Sequence, residues 1–241
     1  VYVDNFAIYE YTATGSAPVL WTPTNLTNVA VWLKADVGTT TTTSGGATVV
    51  TAWADQSGNG NNATASAGVD APELSFNGSS YKMTIAHAAS LNLNASSASI
   101  FFVIRVETQP TNDGFVVSKG TSYGLAVDNS VPTPTSLAVQ SSSVINSGTS
   151  KYTDNVYQVI GFVYDSLSTN PADLTRYNFW VDGTSVDTST GQAYAVNTDN
   201  TTSMFIGSGN GGDFFKGRVC EVLVMNSELT IAQRQQVEGY L

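Results

Sequence analysis

The sequence predicts an all-β protein, an antiparallel sandwich of two sheets with one short C-terminal helix. Short apolar runs rich in Val, Ile, Thr, Tyr, Phe and Trp recur along the chain, punctuated by clusters of Gly, Asn, Asp and Ser, which is the spacing of strands and turns. No helical patterns alternate with these runs, so the crossovers of a parallel sheet are missing, and Rossmann and TIM-barrel architectures are excluded. The pattern changes once, near the C-terminus. There Thr230, with Gln233 three residues on, forms a capping box, and 231–241 reads as the only substantial helix.

The elements follow in order. Residues 1–9 alternate apolar with small or polar side chains and read as a strand, with 12–18 as a linker. Residues 1–20 are therefore expected to be a strand and linker, either early in the same sandwich or the end of a preceding module. The main domain is expected over 21–241. Strands are expected at 29–33 and 49–53, with the Thr/Gly run 39–46 between them as an exposed loop. The segment 99–106 is nearly continuous in apolar residues and reads as a central strand covered on both faces, and 156–164 resembles it. Asp182-Gly183 lies between 177–181 and 184–186 and is the dipeptide of a two-residue hairpin turn. The last long strand is expected at 217–225. Alternation there places Cys220 on one face with Val222 and Val224, as a buried, inert thiol.

Composition excludes several functions. Nine basic against nineteen acidic residues give a net charge of −10, which repels phosphate backbones and sets nucleic acid aside. No apolar run reaches membrane-spanning length, so membrane insertion is not expected. Cys220 is the only cysteine and His87 the only histidine. Intrachain disulfides, thiolate metal clusters, nucleophilic triads and the usual zinc sites are therefore out of reach. His87 reads as an ordinary hydrogen-bonding loop or strand-end residue.

The segment from Asp55 to Asn62 is the densest cluster of turn residues. Calcium is the one metal the composition can hold, through oxygens of Asp55, Asn59 and Asn61, although no EF-hand loop is present. The other reading is structural. Asp55 and Ser57 then accept hydrogen bonds from turn amides, while Gly58 and Gly60 supply positive φ. Trp32 and Trp53 lie in apolar strands and read as core. Trp180 lies beside the hairpin, and Tyr123, Tyr152 and Tyr194 lie near loops. These four are the candidate ligand-contact aromatics.

A family resemblance rests on Ala30-Val31-Trp32-Leu33-Lys34-Ala35-Asp36, the stretch from Trp53 to Thr64, Phe76-Asn77-Gly78, and the run from Gly217 through Leu241. These phrases resemble the laminin G-like jelly roll of the concanavalin A-like superfamily, over about Trp21 to Leu241. The resemblance implies a module of an extracellular or virion-surface protein, such as a bacteriophage tail fibre or capsid decoration, or a secreted bacterial protein. Its implied partners are cell-surface polysaccharide or neighbouring virion or surface proteins, and a larger assembly is one route to an oligomer. The fold also carries glycosidases, but the paired carboxylates of a retaining enzyme do not appear on any strand. The expected function is non-catalytic glycan binding or adhesion, and the alternative is a purely structural virion module.

Overall fold

The structure is a computed structural model and describes residues 9–10, 19–70, 74–93, 97–108, 113–120, 122–128, 136–140, 144–146, 151–165, 177–186, 201–210 and 212–241. The strands are, in chain order, β1 (Tyr9–Glu10), β2 (Val19–Leu20), β3 (Val29–Lys34), β4 (Thr39–Ser44), β5 (Ala47–Trp53) and β6 (Ala63–Asp70). Next come β7 (Leu74–Asn77), β8 (Met83–Ile85), β9 (Ser97–Val106), β10 (Asp113–Lys119), β11 (Tyr123–Asp128) and β12 (Ser136–Gln140). The last six are β13 (Val144–Asn146), β14 (Tyr157–Asp165), β15 (Tyr177–Val181), β16 (Thr184–Ser185), β17 (Met204–Ile206) and β18 (Lys216–Met225), followed by helix α1 (Ile231–Tyr240). The strand expected over 1–9 lies outside the described residues except for Tyr9, which pairs in β1 with β2.

Every strand pairing is antiparallel. One sheet runs β4-β5-β6-β8-β17-β10-β11-β12-β13. The other runs β16-β15-β14-β9-β18, and the far edge of β18 is shared by β3 along its C-terminal half and β7 along its N-terminal half. A single pairing, Asp70 with Ser75, links the two sheets. The core lies between them and includes Trp53, Phe76, Phe102, Tyr123, Phe162, Phe215 and Val222.

The apolar run at β9 is central, as its composition requires. It pairs with β14 and β18, and it sends Ile100, Phe102 and Ile104 into the core and Phe101 to the outer face. The hairpin at Asp182-Gly183 is present, with φ of 48° and 75°, the left-handed pair a tight turn needs. Asp182 also accepts hydrogen bonds from Val159 N at 2.9 Å and Gln158 Nε2 at 2.9 Å, fastening the turn to the edge of β14.

The threonine run expected as a loop is instead strand β4, paired with β5 from Thr39 to Ser44. Threonine is β-branched and favours extended backbone, and a strand on a sheet edge needs no apolar face. On the outer face of the second sheet, Trp21, Trp32, Phe101, Leu223 and Met225 form a separate cluster with Leu229 and Val237. Helix α1 covers this cluster. Its capping box is as expected, with Gln233 N donating to Thr230 Oγ1 at 3.3 Å and Thr230 N donating to Gln233 Oε1 at 3.0 Å.

Two glycines separate steric from conformational constraint. Gly207 has φ +83°, and a Cβ there would sit 2.2 Å from the ring of buried Phe76. Gly58 has φ +89° with open space around it. Gly207→Ala is expected to cost about 3 kcal/mol, from overpacking plus the left-handed backbone. Gly58→Ala is expected to cost only about 1 kcal/mol. Urea denaturation of the two variants checks the order; equal losses would contradict the close approach at Phe76.

Candidate functional site

A grouping of polar side chains around a cavity lies on the outer face of the second sheet and depends on a break in β18. Pairing with β9 sets Val219 opposite Ile104 but Glu221 opposite Val103, so Cys220 is an extra, bulged residue. The bulge reverses the alternation. Val219, Val222 and Val224 face the core, while Leu223 and Met225 face the helix. Cys220 is thus half-buried on a cavity wall beside Glu221, rather than buried with Val222 and Val224.

The cavity has a volume of about 630 Å³. Its floor includes Val103, Cys220 and Glu221; one wall is Lys34, Ala35 and Asp36, and the rim includes Thr39, Thr41 and Thr48 of the β4–β5 hairpin. Glu221 and Lys34 are cross-strand partners, which brings their side chains to one face. The Lys34 ammonium pairs with Asp36 at 3.1 Å. Glu221 is 7% exposed and accepts a hydrogen bond from Trp32 Nε1 at 2.6 Å. The Tyr240 hydroxyl, carried by α1, donates to the same carboxyl, and its ring packs edge-on against Trp32.

Burial pushes the Glu221 carboxyl up to about 7; the Trp32 hydrogen bond and the Lys34 charge pull it back only in part. Burial is also the main cause of the upward push on the Tyr240 hydroxyl, with the Glu221 charge adding to it. A carboxyl that ionises more readily in the unfolded chain favours folding below its unfolded value of 4.5, and that contribution disappears as pH rises through about 7.

A second recess of about 380 Å³ lies along α1 and includes Asn178, Trp180, Ile231 and Arg234. The Arg234 guanidinium stacks over the Trp180 ring at 3.6 Å and pairs with Glu238 one helical turn on. Trp180 is half-buried here, so one of the expected contact aromatics does line a recess.

The other expected contact aromatics fall elsewhere. Tyr123 is 2% exposed in the core, with its hydroxyl donating to Leu91 O at 3.1 Å, and burial pushes that hydroxyl up. Tyr152 is also buried in the core cluster, at 5% exposure. Neither can contact a ligand at the surface. Their positions beside turns are real, but each ring points inward between the sheets, where it replaces an aliphatic side chain. Tyr194 lies outside the described residues. Trp53 is core, Trp32 is buried under α1, and His87 is exposed.

Asp55, Asn59 and Asn61 do come together, but around backbone donors. Asp55 Oδ1 accepts from Trp32 N and Ser57 N, each at 2.9 Å, and Oδ2 accepts from Asn61 N at 2.9 Å and Ser57 Oγ at 2.7 Å. The Asn59 and Asn61 amide nitrogens donate to Val29 O at 2.7 Å and Ala30 O at 2.8 Å. Gly58 and Gly60 take positive φ. A calcium ion would meet N–H groups on this carboxylate, so the donor set does not fit the ion. It fits a staple that fastens the turn to β3. Among the described residues, no three His, Cys, Asp or Glu side chains are grouped to hold a metal.

A two-sheet antiparallel sandwich with a short C-terminal helix on its outer face is consistent with a concanavalin A-like fold. The chain belongs to the concanavalin A-like lectin/glucanases superfamily, whose laminin G-type sequence profile matches residues 76–233. No curated protein sequence matches it. Solved structures with a similar fold include Trypanosoma rangeli sialidase in complex with sialic acid, with TM-score 0.62 and 13% identity over 97% of this chain. This chain spans only 36% of that sialidase. Domain 4 of AbnA, a GH43 extracellular arabinanase from Geobacillus stearothermophilus, in complex with arabinotriose, is similar at TM-score 0.56 and 16% identity, over 88% of this chain and 98% of that one. The binding domain of Paraclostridial Mosquitocidal Protein 1 is similar at TM-score 0.56 and 14% identity, over 88% and 52%. At these identities the likeness is one of fold. Among the described residues no helix is long and apolar enough to cross a membrane.

Two outcomes test this geometry. Asp55→Ala removes four hydrogen bonds and is expected to cost about 3 kcal/mol, whereas chelator or added calcium leaves the melting midpoint of the unaltered protein where it was. A calcium-dependent rise would overturn the staple. Separately, the stability of the unaltered protein should include a component that declines between about pH 4.5 and about pH 7. Subtracting the urea-derived pH profile of Glu221→Gln should isolate that decline; identical profiles would show that the Glu221 carboxyl is not raised.

Proposed function

We propose that this chain is a non-catalytic glycan-binding or adhesion module of an extracellular or virion-surface protein, such as a tail fibre, a capsid decoration or a secreted bacterial protein. The observation that carries this reading is the cavity beside Glu221. Three threonines, a carboxyl and an ammonium–carboxylate pair, together with Ala35, Val103 and Leu241, border a space within the size range of small-ligand sites. Hydroxyl-rich ligands need this mixture of donors and acceptors. The similarity to an arabinanase domain bound to arabinotriose, which covers nearly all of that domain, agrees with it. An outward placement also suits a chain with a single cysteine, few charges and an excess of Thr, Ser, Asn and Gly on its strands and turns.

The absence of catalysis is part of the proposal. Glycoside hydrolysis needs one carboxylic acid free to donate and a second held carboxylate on the other side of the bond. Beside Glu221 the second carboxylate is Asp36, which is 64% exposed and tied to Lys34 rather than held across a bond from Glu221.

Screening the protein on a polysaccharide array checks the reading. Binding is expected to weaken about tenfold in a Thr41→Val, Thr48→Val double variant, as for the loss of one or two hydrogen bonds. Loss with Trp180→Ala instead would move the site to the recess beside α1. Turnover of a bound polysaccharide that disappears in Asp36→Asn would make the protein a hydrolase. No binding to any polysaccharide, together with stable docking on particle proteins, would make it a structural module.

A further inference from the structure

The cavity beside Glu221 has a charge pattern that a neutral sugar does not use. Among the described residues Lys34 supplies the one cation on its wall, and that ammonium is paired with Asp36 at 3.1 Å while also acting on Glu221. Besides Lys34 and Asp36, the described side chains lining the cavity around Glu221 carry no charge, and they include the Cys220 thiol and Leu241. Trp32 and Tyr240 donate hydrogen bonds, Val103 on β9 is apolar, and Thr39, Thr41 and Thr48 are hydroxyls. Lys34 is shared with Asp36, so Glu221 has no counter-ion of its own at the edge of a space bordered by three threonines. Resting on the glycan-binding reading, we infer that this cavity selects an amine-bearing sugar, a 2-amino-2-deoxyhexose unit whose ammonium pairs with Glu221 while the threonines meet its hydroxyls.

Three features support this pairing. A carboxylate against low-dielectric walls interacts more strongly with an arriving cation than an exposed one does. Glu221 also holds its proton up to about 7, so an ammonium ligand displaces that proton as it binds. The net charge of −10 concentrates cations around the whole molecule. Lys34 does not cancel the attraction, because with Asp36 it adds no net charge and Glu221 leaves the cluster at −1 when ionised.

The test is isothermal titration of the full chain with β-1,4-linked glucosamine oligosaccharide, its N-acetylated counterpart and the matching glucose oligosaccharide, near pH 6 in buffers of different ionisation enthalpy. The amine ligand is expected to bind about tenfold or more tightly than the other two, the range of one close charge pair, and to release a net fraction of one proton, since the part of the amine that is neutral takes one up. Glu221→Gln, which keeps an acceptor for Trp32, should abolish both the preference and the proton release. Equal binding of all three sugars, or an amine preference that survives Glu221→Gln, overturns the inference and leaves glycan binding standing. If no saccharide binds, both readings fall.

Discussion

Strand β18 is the constraint on which the rest of the structure depends, and one extra residue within it decides where the chemistry goes. Its ten residues pair with β9 along one edge and with β3 and β7 along the other. Both faces are occupied, Val219, Val222 and Val224 by the core and Leu223 and Met225 by the helix. With uninterrupted alternation, Glu221 would share the inner face with Val219 and set a carboxyl among aliphatic side chains, at a cost of several kcal/mol. The bulge at Cys220 turns it outward instead. There Trp32, diagonal to it on the neighbouring strand, and Tyr240, on the helix, can both reach it.

That carboxyl also ties the helix to the sheet. A ten-residue helix is too short to be stable alone, so α1 owes its position to what it covers. Val237 is fully buried on the sheet, and Tyr240 packs tilted against Trp21 and edge-on against Trp32 with centroid separations of 5.7 and 6.0 Å. Toward the other end, Arg234 lies on Trp180. The helix is held at two places by aromatic contacts, and the residue that closes one of them is also a donor to Glu221. Docking of α1 and the state of the cavity are coupled through a single side chain.

What could be read from the chain was whatever depends on neighbours in sequence. The Asp182-Gly183 hairpin, the turn from Asp55 to Asn62 and the Thr230–Gln233 cap are each specified within a few residues, and all appear where local stereochemistry puts them. The apolar runs of β9 and β18 were legible for the same reason. Strand β4 was not, because its threonines carry the backbone preference of a strand without the apolar alternation that marks one. The candidate cavity was hidden more deeply. Trp32 and Glu221 are 189 residues apart and meet only through the β3–β18 pairing, and nothing in the alternation of β18 discloses a bulge. One signal was available, a lone glutamate within an apolar strand, which must either be paired or be turned out of the core. Tyr123 and Tyr152 show the converse. A tyrosine near a turn reads as exposed, yet Tyr123 is accommodated between the sheets once its hydroxyl finds Leu91 O.

The two sides of the cavity differ in kind. Its floor is β18 and β9, among the most buried strands of the molecule, and the carboxyl there is held by two hydrogen bonds that fix its orientation. Its rim is the β4–β5 hairpin, where β4 pairs on one side only and is exposed along most of its length. Edge strands of this kind open at lower free energy than central ones. A rigid charged floor beneath an adaptable hydroxyl rim assigns the two duties of recognition to different elements. On the proposed reading, the floor is where charge would be discriminated and the rim is where shape would be accommodated. Keeping a raised carboxyl in that floor costs stability as pH rises toward about 7, a cost that the proposed binding role would explain.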